Sequence, residues 1–147
     1  MQISSRFTIA IHVLTCIQVF KDEYPVNSEF IAKSVGVNPV IIRNIFGQLK
    51  KAELISVQRG GNGGVSLLKP ADEITLYDVY RAVELIEDEE LFHFHENPDA
   101  NCPVGKNIHY VMDGRLKKIQ GAMEAEMASM TIADVIADTK EKIKSEE

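Results

Sequence analysis

The sequence predicts a mainly α-helical fold with one small β-hairpin, and three observations support this prediction. A short helical segment from Ser28 to Gly36 is followed, after a turn, by a second one at residues 38–52. Two strand-like runs within residues 54–68 flank a glycine-rich tip, which is typical of a hairpin. A long helical stripe then starts at Val104. Helix, turn, helix and glycine-tipped hairpin in this order predict a winged helix-turn-helix domain, here with a long dimerisation helix added.

The first helix is predicted to begin at Ser4 or Ser5 and to run to about Lys21. Its apolar side chains occupy so much of its circumference that most of its sides should be buried. They are Phe7, Ala10, Ile11, Val13, Leu14, Cys16, Ile17 and Phe20. We therefore expect Cys16 to be a small core residue and His12 to be a core or partly exposed histidine rather than a metal ligand.

The second helix of the helix-turn-helix has the pattern of a recognition helix. Asn38 is a good N-cap, and Pro39 tolerates the first helical position because its missing N–H would be unpaired there anyway. One face is apolar and consists of Ile42, Ile45, Phe46 and Leu49. The other face is polar or basic, with no carboxylate before Glu53. Ser28 is expected to cap the preceding helix, and Gly36 to end it in the left-handed conformation.

Charge is distributed unevenly along the chain, whose net charge is −6. Residues 1–70 hold eight Lys and Arg against four Asp and Glu, which gives +4, whereas residues 71–147 hold eight against eighteen, which gives −10. Repulsion from phosphates would therefore fall on the half that lacks the helix-turn-helix. The asymmetry favours binding of double-stranded DNA by the first half.

A recognition helix lies in the major groove with its N-terminal residues near base edges and its basic end near phosphates. Arg43 could read guanine, Asn44 or Gln48 could read adenine, and the wing could reach the minor groove. Arg6, which opposes the dipole of the first helix, also suggests an anionic partner. The candidate DNA-binding residues are Ser4, Arg6, Ser28, Asn38, Val40, Ile41, Arg43, Asn44, Gln48, Lys50, Lys51, Arg59 and Asn62.

Neither the glycine-rich tip nor the following acidic run predicts catalysis. The tip lacks the Gly-Lys-Ser/Thr end of a nucleotide-binding loop, and its glycines fit a hairpin that needs positive φ. Thr75 and Asp78 form a predicted capping box before a helix whose apolar residues extend to Ile86. The four acids at residues 87–90 lack an apolar pocket and are expected to be a solvated face. We therefore do not expect an enzyme.

Residues 87–103 are predicted to form an irregular, sensor-like loop between residues 1–86 and residues 104–147. His93, His95 and Cys102 are the possible sensor residues, and together with His109 they could bind zinc or iron. They match no closed four-ligand pattern, so a purely structural loop is the alternative. Cys102 could also be a reactive thiol, since it lies next to a predicted helix N-terminus.

The long helix has an apolar stripe that one small domain cannot cover, because about 25 residues span roughly 38 Å. We therefore predict a homodimer, with an ordinary core helix as the alternative. The predicted dimer residues are Ile108, Met112, Leu116, Ile119, Met123 and Met127. Thr131 is expected to cap a C-terminal helix with Ile132, Val135, Ile136 and Ile143 facing inward, and the tail from Lys140 is expected to fray. No run is long enough to cross a bilayer and no signal-like cleavage site is present, which predicts a cytoplasmic protein without a membrane partner.

The order of these segments resembles the bacterial Rrf family of winged-helix repressors, which includes the regulators IscR, NsrR and CymR, and within it the YwnA-like branch. The segments that carry the resemblance are MQISSR at residues 1–6, IFGQLKKA at 45–52, RGGNGGV at 59–65 and DEITLYDVYRAVE at 72–84. The resemblance implies a homodimer with crossing long helices that binds a roughly two-fold symmetric operator.

The chain departs from this family at its sensor. Cluster-binding members carry three closely spaced cysteines, of which only the last is matched here, by Cys102. This argues against an iron–sulfur cluster and leaves no predicted cofactor. Glu53 also stands where many members have glycine. The predicted function is a sequence-specific transcriptional repressor that responds to an effector or redox signal; the alternative is a winged-helix module whose main partner is a metabolic enzyme.

Overall fold

The structure, a computed structural model, describes residues 3–58, 64–84 and 90–147. Within these residues the chain forms six α-helices, one 3-10 turn and a two-stranded antiparallel hairpin, which confirms the predicted fold class. The elements are α1 (Ser5–Val19), α2 (Ser28–Val35), α3 (Pro39–Lys51), β1 (Ile55–Val57), β2 (Val65–Leu67), the 3-10 turn (Ala71–Glu73), α4 (Leu76–Val83), α5 (Pro103–Ala128) and α6 (Ile132–Ser145). None of the described helices has the length and apolarity that crossing a membrane requires.

Helix α1 forms the centre of the core, because it packs against α2, α3, α4 and α6. It ends at Val19, two residues before the expected Lys21. Its buried residues are Ala10, Val13, Leu14, Cys16 and Ile17, and α3 contributes all four of its predicted apolar residues. The predicted core position of Cys16 is thus confirmed, and burial raises the pKa of its thiol.

The start of α2 corrects one prediction. Asn27, not Ser28, is the N-cap: its backbone is extended and its side-chain oxygen accepts a hydrogen bond from the Phe30 N–H at 2.8 Å. Ser28 is already the first helical residue. The other two predictions hold, since Gly36 has a φ of 84° and Asn38 caps α3 by accepting from the Val40 N–H at 2.9 Å.

Helix α3 ends in a Schellman motif. The Leu54 N–H donates to the Leu49 carbonyl at 3.0 Å, and the Glu53 N–H donates to the Lys50 carbonyl at 2.9 Å. This motif places one residue in the left-handed region, where glycine is usual. Here that residue is Glu53, with a φ of 61°. The same turn leads directly into β1.

The wing is a short hairpin in which Ile55 pairs with Leu67 and Val57 with Val65. The Val65 N–H also donates to the Val26 carbonyl at 3.1 Å, so the segment before α2 lies against the edge of β2. At Gly64 an added Cβ would lie 3.2 Å from the oxygen of that same carbonyl, which is a tight contact that glycine avoids. The predicted tip at residues 60–63 lies outside the described residues.

Helices α4 and α6 begin with matching capping boxes. Thr75 and Asp78 exchange hydrogen bonds of 3.0 Å, and Thr131 and Asp134 exchange bonds of 2.9 and 3.1 Å. The two threonines also pair with each other in an isolated antiparallel bridge. Both predicted caps are therefore confirmed, and the two helices start side by side.

Helix α6 belongs to the winged-helix core. Ile132 and Ile136 are buried in the same cluster as α1 and α3, and the Ile132 N–H donates to the Ile74 carbonyl at 2.8 Å. Ile143, which was also expected to face inward, is not part of this buried core, because 46% of it is exposed. The helix extends through the predicted tail from Lys140 as far as Ser145, and the side chains of this tail are exposed.

Candidate nucleic-acid interface

The exposed face of α3 gathers polar, basic and apolar side chains at its N-terminal half. Arg43 and Asn44 are exposed, as are 50% of Val40 and 40% of Ile41. These four residues lie on the opposite side of α3 from its buried face, which packs into the core without them. None of the four is therefore needed to hold α3 in place. Large apolar side chains left in water at the start of a recognition helix fit contacts to thymine methyl groups.

Gln48 is placed differently from its neighbours. It is half-buried, its amide donates to the Val83 carbonyl of α4 at 3.5 Å, and its Oε1 is buried without a hydrogen-bond partner in the described residues. This side chain faces α4 rather than solvent. The prediction that Gln48 contacts a base does not fit this placement, because its side chain is turned towards α4. Helical spacing alone could not show which side of α3 meets α4.

The basic end of α3 is free to meet phosphates. Lys50 and Lys51 are exposed in its last turn, where cations also interact favourably with the helix dipole. At the other end, Asn38 uses its side-chain oxygen to cap the helix, which leaves its amide N–H groups for a partner. Neutral amide donors thus lie at the N-terminal end of the exposed face and positive charge lies at its C-terminal end.

The remaining candidate DNA-binding residues differ in their exposure and in their contacts. Ser4 caps α1 and its hydroxyl also donates to the Glu84 carboxylate at 2.9 Å, so it ties α1 to the end of α4. Arg6 is exposed in the first turn of α1, and Ser28 is half-buried at the start of α2. Arg59 and Asn62 lie outside the described residues.

The described part of the sensor-like segment, residues 90–103, lies along α5, where the Leu91 N–H donates to Gln120 Oε1 at 2.9 Å. The ring of Phe94 packs on the ring of His109 with centroids 4.4 Å apart, and His109 Nε2 lies 3.0 Å from the carbonyl oxygen of His95. Cys102 precedes α5, and the backbone N–H groups of Gly105 and Val104 lower the pKa of its thiol. The side chains of His93 and His95 are exposed.

Gly105 allows this arrangement. A Cβ added there would lie 2.5 Å from the Asp99 carbonyl oxygen, which no side chain tolerates. The backbone of the segment can therefore approach the first turn of α5 closely, and the Cys102 N–H donates to that same Asp99 carbonyl at 3.1 Å.

Sequence reasoning missed two residues that position the helix-turn-helix. Asn27 was a visible alternative cap, since asparagine is as good an N-cap as serine. Ser34, on α2, binds His12 of α1 with 2.9 Å between Oγ and Nε2. No periodicity could have indicated that contact, because the two residues lie on different helices.

The fold and the exposed face of α3 define a winged helix-turn-helix protein of the DNA-binding type. A family model described as Rrf2, iron-dependent transcriptional regulator, matches residues 3–138. The chain therefore belongs to the Rrf2 family of transcriptional regulators.

Known relatives agree with this assignment. YwnA of Bacillus subtilis (strain 168), named as an HTH-type transcriptional regulator, is 46% identical over 134 residues, covering 91% of this chain and 96% of YwnA. A crystal structure described as that of a DNA-binding protein has a TM-score of 0.69 at 40% identity, covering 90% of this chain and 99% of that chain. The structure of IscR of T. potens has a TM-score of 0.71 at 21% identity, covering 97% of this chain and 90% of that chain. This similarity shows that the two proteins share a fold.

The donors of this chain do not fit the iron–sulfur clusters of its family. The whole sequence has two cysteines. Cys16 is buried in the winged-helix core and Cys102 lies at the start of α5, so they cannot supply neighbouring thiolate ligands. Among the described residues, no three His, Cys, Asp or Glu side chains are grouped so that they could hold a metal ion.

Proposed function

We propose that this protein binds operator DNA as a homodimer and represses transcription there, acting in the cytoplasm and without an enzymatic activity of its own. The observation that carries the proposal is the exposed face of α3. It presents four side chains that are not part of the buried core, those of Val40, Ile41, Arg43 and Asn44, and Lys50 follows in the basic last turn. Repression would follow from occupying DNA that the transcription machinery needs.

The proposed base contacts follow from the chemistry of each exposed side chain. Arg43 would donate two hydrogen bonds to guanine O6 and N7, and Asn44 would pair with adenine N6 and N7. Val40 and Ile41 would contact thymine methyl groups. Gln48 would position α4 on α3 instead of reading a base, because its amide donates to the Val83 carbonyl.

Phosphate contacts would surround these base contacts. Lys50 and Lys51 would meet one strand, and Arg6 at the start of α1 would meet the other side of the groove. Arg59 and Asn62 keep their proposed minor-groove role at the wing tip. Residues 1–86 would thus read DNA, and residues 87–103 remain the proposed sensor segment.

Dimerisation through α5 is supported by what this chain leaves uncovered. None of the 26 residues of α5 is buried, and 53% of Ile119 and 68% of Val104 are exposed. None of the described residues lies within 4 Å of a Cβ added at Gly114 or Gly121, so contacts with that part of the chain do not explain these glycines. A second α5 packed along the stripe would bury it.

Selection of duplexes from a random library tests the DNA proposal. The wild type should recover a near-palindrome, and Arg43→Ala should lose its preference at one position of each half-site, at a cost of roughly 1–3 kcal/mol. Lys144→Ala, which removes an exposed cation at the far end of α6, is the control and should select the wild-type sequence. Recovery of no common sequence by the wild type would contradict the proposal.

Sedimentation tests the dimer. The wild type should sediment as twice its 16.4 kDa, and Ile119→Asp should shift it towards the monomer because a buried, unpaired charge is costly. Lys118→Asp alters the neighbouring exposed residue and should leave the dimer intact. A wild-type monomer at micromolar concentration would refute this part of the proposal.

A further inference from the structure

A groove of about 400 Å³ lies between α1, α2 and α6, away from the exposed face of α3. Its walls are mainly apolar, with Ile11, Val19 and Phe20 on one side and Val135 and Ile143 of α6 on the other. Ligand clefts for small molecules start at roughly 300 Å³, so the groove can hold a molecule of one or two fused rings. The exposure of Ile143, which was unexpected for this helix, is explained by its position at the rim.

One wall of the groove carries a connected polar cluster. The Cys16 thiol donates to Ser34 Oγ at 3.5 Å, and Ser34 Oγ lies 2.9 Å from His12 Nε2. Because Ser34 accepts from the thiol, its single hydroxyl hydrogen is available for His12 Nε2. That assignment, inferred from the hydrogen-bond pattern, leaves the proton of a neutral imidazole on Nδ1. Ser34 is the one hydrogen-bond partner of the His12 ring among the described residues, and His12 lines the groove, so its Nδ1 N–H is available to a ligand there.

The lining also defines the charge of a ligand. The described lining residues include no Lys, Arg, Asp or Glu. A charged molecule would lose hydration there without gaining a partner of opposite charge. An uncharged molecule with a flat apolar body would bury its surface against the two walls, and one acceptor oxygen would satisfy the donor of His12.

The groove connects parts of the chain that have different roles. Ser34 lies on α2, which packs against α3, whereas Val135 lies on α6, which follows the long helix α5. A molecule held between them would favour one angle between α6 and the helix-turn-helix. By linkage, any difference in its affinity between DNA-bound and free protein changes DNA affinity by the same factor.

We propose that this groove is an effector site for an uncharged aromatic carbonyl compound, with His12 as donor to the carbonyl oxygen; its regulatory role rests on the DNA-binding function proposed above. The probe is 2-acetonaphthone, and its control is 2-isopropenylnaphthalene, which has the same shape but no acceptor oxygen. Binding is followed by NMR of isoleucine and valine methyl groups in the full chain without DNA.

The wild type should bind the ketone saturably, with shifts at Ile11 and Val135, and should bind the control compound roughly three- to tenfold more weakly. His12→Leu should remove that preference while keeping an apolar wall. Val135→Trp should fill the groove and weaken ketone binding at least tenfold, whereas Ala137→Trp, on an exposed side of α6, should leave it unchanged. Thermal unfolding of each variant shows that the fold is retained.

Absence of saturable binding to the wild type would overturn the proposal, as would equal binding of the two compounds. If a second copy of the chain covers the groove, Val135→Trp would change the sedimentation of the dimer and the ketone would not bind, which also overturns it. At saturating ketone, the affinity for the selected operator should change at least threefold in the wild type and not in Val135→Trp. No change would overturn the effector role. Failure of operator selection would instead contradict the DNA proposal, because the ketone titration contains no DNA.

Discussion

Replacing Ile132 by alanine tests whether the C-terminal helix is an integral part of the winged-helix core. Ile132 is fully buried, and its N–H donates to the Ile74 carbonyl at 2.8 Å. The backbone bond is retained in Ile132→Ala, so the substitution changes only side-chain packing. Ile143 on the same helix provides the matched control, because 46% of it is exposed.

The expected loss follows from the atoms removed. Ile132→Ala deletes three carbons at about 0.8 kcal/mol each, and the unfilled cavity adds about 1 kcal/mol more. The free energy of unfolding should therefore fall by about 3–4 kcal/mol, whereas Ile143→Ala should cost less than about 1 kcal/mol.

Urea denaturation followed by circular dichroism measures both losses. With a slope of about 2 kcal/mol per molar urea, the midpoint of Ile132→Ala should fall by nearly 2 M. All variants must be compared at one protein concentration, because the stability of a dimer depends on it. Equal, small midpoint shifts for the two variants would refute the reasoning, since they would show that α6 detaches without loss to the core.

Three further predictions concern DNA affinity, thiol reactivity and helix capping. Lys50→Ala combined with Lys51→Ala should reduce the salt dependence of operator binding by about 3.6 in log–log slope, because each protomer of the dimer loses two phosphate contacts at about 0.9 per contact; fluorescence anisotropy between 50 and 200 mM salt measures the slope. Cys102 should be alkylated by iodoacetamide with a midpoint pH below that of an ordinary cysteine, because its lowered pKa increases the thiolate fraction at neutral pH. Cys16 should react much more slowly than Cys102, since it is almost completely buried and its pKa is raised. Thr131→Ala should lower stability by about 1 kcal/mol in urea denaturation because the capping box at the start of α6 is lost.

Each of these predictions has a control. Lys140→Ala with Lys142→Ala removes two exposed cations from α6 and should leave the salt slope unchanged. Cys102→Ser should abolish the fast alkylation phase. If that phase persisted in the variant, the fast-reacting thiol would not be Cys102, and the prediction would be wrong. Thr139→Ala removes a hydroxyl that bonds only within α6, to the Val135 carbonyl, and should cost far less than Thr131→Ala.

The fold was largely predictable from local patterns. The core face of α3, the left-handed Gly36 and both capping boxes were all visible, because each depends on residues within one or two turns of helix. The N-cap of α2 shows the limit of such reasoning, because Ser28 was predicted and Asn27 was found. Both residues are suitable, and the backbone conformation decides between them.

Features that depend on the meeting of distant segments were not predictable. The inward turn of Gln48 depends on α4, which lies 35 residues away in sequence. The groove between α1, α2 and α6 depends on α6 packing on α1, although the sequence grouped α6 with the predicted dimerisation helix. Periodicity shows that a helix has an apolar face, but not which neighbour covers it. It therefore could not show that Ile143 would remain partly uncovered.

Glu53 makes strain and charge separable at the end of the recognition helix. A non-glycine residue in the left-handed region costs about 1–2 kcal/mol, and Glu53, with a φ of 61°, follows directly after the basic last turn of α3. Glu53→Gln removes only the charge, whereas Glu53→Gly removes the charge and also relieves the strain. Comparing the two variants therefore separates the stability of the helix end from its electrostatics. Removal of the Glu53 charge should thus strengthen the proposed phosphate binding by Lys50 and Lys51 without altering any side chain proposed to read a base.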